Sequence, residues 1–305
     1  MAATDARAIA EMAFLIPLTA ALFTQKDDRM LKRKVNCSLN LIGMLLLLFI
    51  GVAPANSSDY SQETASSSDC SRAILKGRYA NIERGTQSVG PLSYPYASIG
   101  SAIFDGKGKW EGTGTTSLGG KIISGSNFSG TYNVNPNCTF SSQFGVKDPD
   151  TFHIVGTIAG TGQFQEVHYN YTDDWMIASA TLKKTPGGGC SLATVRGSYA
   201  LFGEGTRTHV PASPVPVNHT GVVTFDGKGH FLGQATSNEG GKVKGRRFKG
   251  KYTVNSECTL KATITFSNGS VLHEEGIITG ESPFTEIHTI ITDSGWVFAD
   301  VFKKQ

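Results

Sequence analysis

The chain has 305 residues, 39% of them apolar and 17% charged, with a formal net charge of +3. Those proportions exclude a disordered or supercharged polypeptide, and so small a charge gives no electrostatic case for nucleic acid. Thirty-six glycines without a collagen period imply many turns, as in an all-β protein.

The first element is a targeting signal. Residues 30–57 read MLKRKVNCSLNLIGMLLLLFIGVAPANS. Arg29, Lys32, Arg33 and Lys34 form a positive segment, Leu41 to Val52 an apolar one, and Ala53-Pro54-Ala55 an A-x-A cleavage site. The apolar run is shorter than the roughly 20 residues that span a bilayer, so no transmembrane span is expected in the mature chain. Asn56, not Cys, follows the site, which argues against a lipid anchor. Met30 competes with Met1 as the true start. Residues 1–55 are therefore expected to be an extension and a cleaved leader, and the polar stretch 56–69 a disordered lead-in to a secreted or periplasmic protein.

From residue 70 onward the chain repeats itself. CSRAILKGRYA (70–80) matches CSLATVRGSYA (190–200), FDGKGKW (104–110) matches FDGKGHF (225–231), and FSGTYNVNPNCTF (128–140) matches FKGKYTVNSECTL (248–260). The offset stays near 120. Two copies of one domain follow, at 70–184 and 190–305, joined by the linker TPGGG at 185–189. Each copy is long enough to bury its own core, so two units on a short linker are expected. Four cysteines allow three pairings. Only Cys70–Cys138 with Cys190–Cys258 respects the repeat, and an oxidising compartment would permit both bonds.

Eight extended segments are predicted in the first copy, near 76–84, 94–104, 108–117, 120–134, 138–145, 150–159, 162–172 and 175–184, with no convincing helix. Turn residues separate them. Asp105-Gly106-Lys107-Gly108 and Asp226-Gly227-Lys228-Gly229 read as hairpin loops anchored by Phe104 and Phe225. A single Asp in so short a loop lacks the ligands that calcium needs. Eight alternating strands in one copy predict closure into an antiparallel up-and-down barrel, which removes exposed edges; a two-sheet sandwich is the alternative. Such an interior can be filled by side chains or hold one small ligand.

Three motifs recur in both copies: G-x-Y at Gly77–Tyr79 and Gly197–Tyr199, F-D-G-x-G at the second hairpin, and G-x-Y-x-V-x-x-x-C-T ending at Thr139 and Thr259. Together they resemble a bacterial group of exported domains with barrels similar to allene oxide cyclase (calycin-like). The G-x-Y start is also faintly similar to the G-x-W of lipocalins. The resemblance covers nearly all of both copies and implies a barrel with an apolar cavity. That superfamily includes cyclases and non-enzymatic members, so the activity does not follow from it. No cyclase catalytic motif is matched, and no catalytic residue is carried over.

The best polar constellation is Glu-x-His on the seventh strand, Glu166 with His168 and Glu286 with His288. Period two places each pair on one face, where a carboxylate could orient an imidazole for acid–base work. Val167, Tyr169 and Tyr171, and Ile287 and Ile291, occupy the opposite face and are the expected lumen lining, which leaves Glu and His in water. A cavity polar group and a metal ligand are the alternatives, the latter lacking a third ligand. His153, His209, His219, His230 and His273 show no site spacing and read as isolated surface or loop histidines. Glu274 and Glu275, being adjacent, point to opposite faces. No nucleophile elbow or P-loop appears, and no cofactor is expected.

The second copy alone carries GKVKGRRFKGKY (241–252), with Lys242, Lys244, Arg246, Arg247, Lys249 and Lys251. Such a stripe could hold an anionic polymer or membrane surface, against the simpler reading of a solvated outer strand. The expected function is binding of a small apolar molecule in one or both barrels, framed by Tyr79, Phe104, Tyr132, Tyr199, Phe225 and Tyr252, which plain core packing would explain equally. The alternatives are a cyclase or isomerase with Glu166 or Glu286 as polar trigger, and a surface protein with solid barrels.

Overall fold

A computed structural model describes residues 70–147, 150–187, 189–208 and 214–305. The leader, the lead-in and His209 lie outside the described residues. The first copy forms β1 (Gly77–Val89), β2 (Leu92–Phe104), β3 (Lys109–Leu118), β4 (Lys121–Val134), β5 (Thr139–Lys147), β6 (Asp150–Ala159), β7 (Glu166–Tyr171) and β8 (Met176–Lys184). The second forms β9 (Gly197–Arg207), β10 (Val215–Phe225), β11 (His230–Glu239), β12 (Lys242–Val254), β13 (Thr259–Phe266), β14 (Val271–Thr279), β15 (Glu286–Ile291) and β16 (Trp296–Lys304). Each set closes into an antiparallel barrel in sequence order, β8 returning to β1 and β16 to β9. The sandwich alternative is thereby excluded.

Two details differ from the sequence reading. The segment ahead of each first strand is a short 3-10 turn, Arg72–Leu75 and Leu192–Val195, and β7 begins only at Glu166 because Gly162–Phe164 forms another such turn. The leading turns have a packing role. They push Leu75 and Val195, both fully buried, into one end of each barrel. Tyr132 donates its hydroxyl to the Arg72 carbonyl at 3.0 Å, and Tyr252 to that of Leu192 at 3.2 Å. The disulfides Cys70–Cys138 and Cys190–Cys258 fasten the chain just before each turn to the β4–β5 and β12–β13 corners, at Cα separations of 5.1 and 4.9 Å. That end of each barrel is therefore closed.

The repeated F-D-G-K-G stretch is the β2–β3 hairpin loop. Phe104 and Phe225 are buried in their cores. Asp105 Oδ1 accepts the backbone N–H groups of Lys107, Gly108 and Lys109 at 2.6, 2.9 and 3.0 Å, so the carboxylate is used up in shaping its own loop. Gly106 and Gly108 sit at φ of 76° and 116°, which only glycine adopts without strain.

The two barrels pack against each other through different faces. Ala80, Ala97 and Ile99 on the outer surface of β1 and β2 meet Ile277, Ile290, Val297 and Ala299 on the outer surface of β14, β15 and β16. Around this apolar patch Lys183 bridges Glu166 and Glu286 at 2.8 Å each, Arg84 pairs with Glu204 at 2.8 Å, and Thr115 donates to Glu275 at 2.6 Å. The Phe164 and Phe284 rings meet edge to face, 5.4 Å apart. β14–β16 are thus covered on both faces, by their own core and by the first barrel. Ile290→Glu should insert an unpaired charge into this contact. Limited proteolysis is expected to cut the 185–189 linker faster in this variant than in the parent; equal rates would contradict a buried contact at Ile290.

Each disulfide joins residues separated by 68 positions. Replacing Cys190 and Cys258 together by Ser should cost the fold about 4 kcal/mol in the chain-entropy account of such a loop. Urea unfolding is expected to show the loss as a lower midpoint with a steeper slope, because the unfolded chain without the cross-link exposes more surface.

Candidate functional site

Ladder register allows the two interiors to be compared position by position, since Gly77 opposite Phe104 corresponds to Gly197 opposite Phe225. The first barrel is filled. Glu83 on β1 points inward and accepts hydrogen bonds from Asn81 at 2.9 Å, from Tyr169 at 2.6 Å, from Tyr171 at 2.7 Å and from Tyr96. Burial, then the Glu83 charge, pushes all three phenols well above the ordinary 10.0, so they remain donors. Trp110, Phe140, Phe144 and Phe152 pack over this cluster. About 60 Å³ of space remains.

The second barrel encloses about 520 Å³. The difference follows from inward side chains that are smaller at matching rungs. Tyr96 gives way to Val217, Trp110 to Phe231, Phe144 to Ile264, Phe152 to Leu272, Tyr169 to Thr289 and Tyr171 to Ile291. Glu83 gives way to Gly203. Larger residues at Trp296 and Phe298, where the first barrel has Met176 and Ala178, only partly compensate.

Gly203 organises the polar wall of this cavity. It lies on β9 directly between His219 of β10 and Asp300 of β16. A Cβ at this position would collide with Asp300 Oδ1 and His219 Nε2. Without one, the two side chains meet across the strand at 2.5 Å. The first barrel has the reverse arrangement, with the acid on the middle strand and small Ser98 and Ala180 on either side. The wall continues through Thr289 of β15, paired with Asp300 in the ladder, to Glu274 of β14, whose Oε2 accepts the Thr289 hydroxyl at 3.1 Å. Asp300 is 1% exposed and Glu274 5%. Asp300 Oδ2 is buried, and the Glu274 carboxyl shares a side-chain hydrogen bond with Asp300.

Burial, reinforced by the Asp300 charge, pushes the Glu274 carboxyl well above its ordinary 4.5. Burial pulls the His219 imidazole down, but the charge and hydrogen bond of Asp300 outweigh it and hold the pKa above 6.5. The wall therefore sets a carboxyl pushed toward its protonated form beside an imidazole pushed toward its charged form. The facing strands β11–β13 are mostly apolar, with Phe231, Phe248, Ala262 and Ile264. At the rim, Arg207 and Arg246 share Glu239 at 2.8 and 3.5 Å and lie over the Trp296 and Phe266 rings at 5.3 and 5.6 Å.

The residues singled out from the sequence distribute as follows. Phe225 lines the cavity and Phe104 the small residual space of the first barrel. Tyr79, Tyr132, Tyr199 and Tyr252 are packed in the cores toward the closed ends. Tyr79 donates to Gln165 at 2.6 Å, and burial raises its pKa to about 12. Val167 and Tyr169, and Ile287, point inward as the parity implies. Glu166 and His168 are on the outer face, 3.1 Å apart, with His168 exposed. Glu286 and His288 are also outward, yet they are not in water. The docked first barrel leaves His288 4% exposed, and burial lowers its pKa below 6.5. Burial would raise Glu286, but hydrogen bonds from His288 and Lys183 dominate and hold it below the carboxylate range.

The six basic residues of β12 do not share one face. Lys244 and Arg246 turn toward the cavity rim. Arg247, Lys249 and Lys251 are exposed, with Arg247 and Lys249 on alternate positions from Arg246 and the inward Phe248. Among the histidines, His153, His230 and His273 are exposed and paired with Asp173, Asp226 and Asp293. His219 is the correction: it faces the lumen, because Gly203 makes room for it beside Asp300.

His219, Glu274 and Asp300 were missed as a site because they lie on three different strands and because Ile277 outward and Ile278 inward leave the inward face of β14 unmarked by alternation. Comparison between copies held the signal, since Ser98, Ile154 and Ala180 stand at the matching rungs of the first barrel. The chain matches no protein-family model, and no curated protein is significantly similar to it.

Two shifts have the same sign for stability. The raised Glu274 carboxyl keeps its proton to higher pH in the fold than in the unfolded chain, so its contribution falls as pH rises above the ordinary carboxylate value. The contribution of His219 is present below its unfolded pKa and is lost as pH rises through the folded one. Both contributions shrink as pH rises above 6.5, so thermal stability is expected to decline there, and Glu274→Gln, which cannot ionise, should show a shallower decline. Identical pH slopes would contradict a buried acid at Glu274.

Proposed function

We propose that this is an exported protein that binds a small, mainly apolar molecule inside its second barrel, the first barrel acting as a solid partner. The observation that carries this reading is the contrast between a cavity of about 520 Å³ and one of about 60 Å³ in two copies of the same fold. Ligand pockets of ordinary size are a few hundred Å³, mostly apolar, with a few convergent polar groups. The second interior has that character and the first does not. Two disulfides are compatible with an extracellular or periplasmic setting, and no helix among the described residues is long and apolar enough to cross a membrane. The similarity to allene oxide cyclase-like barrels is supported at the level of a closed eight-stranded barrel. It supports a cavity as the working part, not a reaction.

One observation favours the cyclase or isomerase reading as a second choice. Glu274, whose pKa burial raises, lines an apolar chamber, the environment of a general acid for an acid-assisted rearrangement. Glu166 and Glu286 point away from the lumen, so the trigger would be Glu274 in their place. An anionic surface partner draws only on the outward Arg247, Lys249 and Lys251.

The binding reading is tested with the uncharged fluorescent probe N-phenyl-1-naphthylamine and the whole chain. One probe per chain is expected. Ala262→Phe, which fills the apolar wall, should weaken binding about tenfold or more while circular dichroism stays unchanged. Two probes per chain, or binding untouched by the filled wall, would refute it.

A further inference from the structure

The mouth of the second barrel narrows the class of ligand, an inference that rests on the cavity reading above. Arg207 and Glu239 end β9 and β11, and Lys244 and Arg246 lie near the start of β12. All four line the cavity at the end away from the disulfide. Glu239 takes Nη1 of Arg207 and approaches Nη2 of Arg246, so each guanidinium keeps an Nη group that Glu239 does not occupy. The other acid at this end, Asp293, is held by the backbone N–H and the ring of His273. Three cations thus meet two carboxylates, a surplus of one positive charge. Stacking on Trp296 and Phe266 holds the two guanidinium planes in place. The first barrel has no cation at the matching rungs. Gln87 faces Met176 as Arg207 faces Trp296, Ser126 faces Gly114 as Arg246 faces Ala235, and Ile123 faces Thr116 as Lys244 faces Ser237. The cationic mouth and the cavity therefore occur together, in one copy only.

We infer that the second barrel takes an apolar molecule bearing one carboxylate, the carboxylate held at the mouth by Arg207, Lys244 and Arg246 and the apolar body inside. The surplus charge matches a single anion, and the edge of a guanidinium matches the two oxygens of a carboxylate. Arg246 and Phe248 are successive inward residues of β12, about 7 Å apart along the strand. A head on Arg246 therefore places the body against Phe248, with Phe231 and Ile264 in the same chamber. The head stays at the mouth, because deeper in it would approach the Asp300 and Glu274 carboxyls in a low-dielectric interior. An ammonium head would be repelled by the surplus at the mouth, and an uncharged head gains nothing from it.

Three naphthalene probes of similar shape test this by calorimetry on the whole chain near neutral pH: 2-naphthoate, its methyl ester and 2-naphthylmethylamine. The naphthoate is expected to bind about tenfold or more tightly than the uncharged ester, and the amine most weakly. Added salt should weaken the naphthoate and leave the ester unchanged. Arg246→Gln should remove most of the preference, with binding of the ester little changed. Glu239→Gln, which frees both guanidinium groups, should tighten the naphthoate further. Equal binding of naphthoate and ester by the parent chain overturns the inference and leaves the cavity reading standing. So does tightest binding by the amine, or a naphthoate preference undiminished in Arg246→Gln. No binding by any probe overturns both. The comparison among probes needs only the unsubstituted protein, so it decides the matter even if a variant folds poorly.

Discussion

The constraint on which this structure depends is the closure of eight strands into a ring. Closure fixes the radius, and at this strand number the lumen is just wide enough for side chains to fill it. Each inward residue is then either filler or opening. Smaller residues at seven matching rungs accompany the change from a solid barrel to a hollow one, while the closed eight-strand topology and the disulfide stay the same. The closed end tolerates no such variation. In both copies a tyrosine hydroxyl holds the 3-10 turn, a Leu or Val plugs the end, and a disulfide fastens the chain beside it.

The same geometry governs the electrostatics. Both lumens contain acid, but they neutralise it differently. In the first barrel one carboxylate on the middle strand is surrounded by phenols and an amide, a satisfied network that consumes the space. In the second, the middle strand carries glycine, and an imidazole–carboxylate pair sits on its neighbours, with the raised Glu274 carboxyl beyond. Glycine contributes here through the room it leaves. The paired groups belong to the wall of a cavity, where those of the first barrel are packed under aromatic rings.

Docking of the barrels explains the least orthodox part of the sequence. A strand with one wet face alternates, whereas β14–β16 carry apolar residues on both sides where they meet the first barrel, because there each side is buried. His288, outward by parity, is enclosed by a neighbouring domain; Lys183 is held by two carboxylates from different barrels. The Glu-x-His pairs, the most eye-catching polar repeat, thus serve the contact between barrels in the second copy and lie outside both lumens.

The sequence by itself determined the all-β class, the duplication and the pairing of the four cysteines. These depend on local turn chemistry, period-two patterning and a constant offset, all of which can be read along a single chain. It also determined that Val167, Tyr169 and Ile287 face inward. Which barrel is hollow, and what lines it, was decided only by tertiary structure. Lumen volume is a sum over side chains from eight strands, and no one segment contains it. Likewise His219, Gly203 and Asp300 are far apart in sequence and become neighbours only through the ladders on either side of β9. The inward face of β14 and β16 could not be told from the outward one until the first barrel was seen to cover the latter.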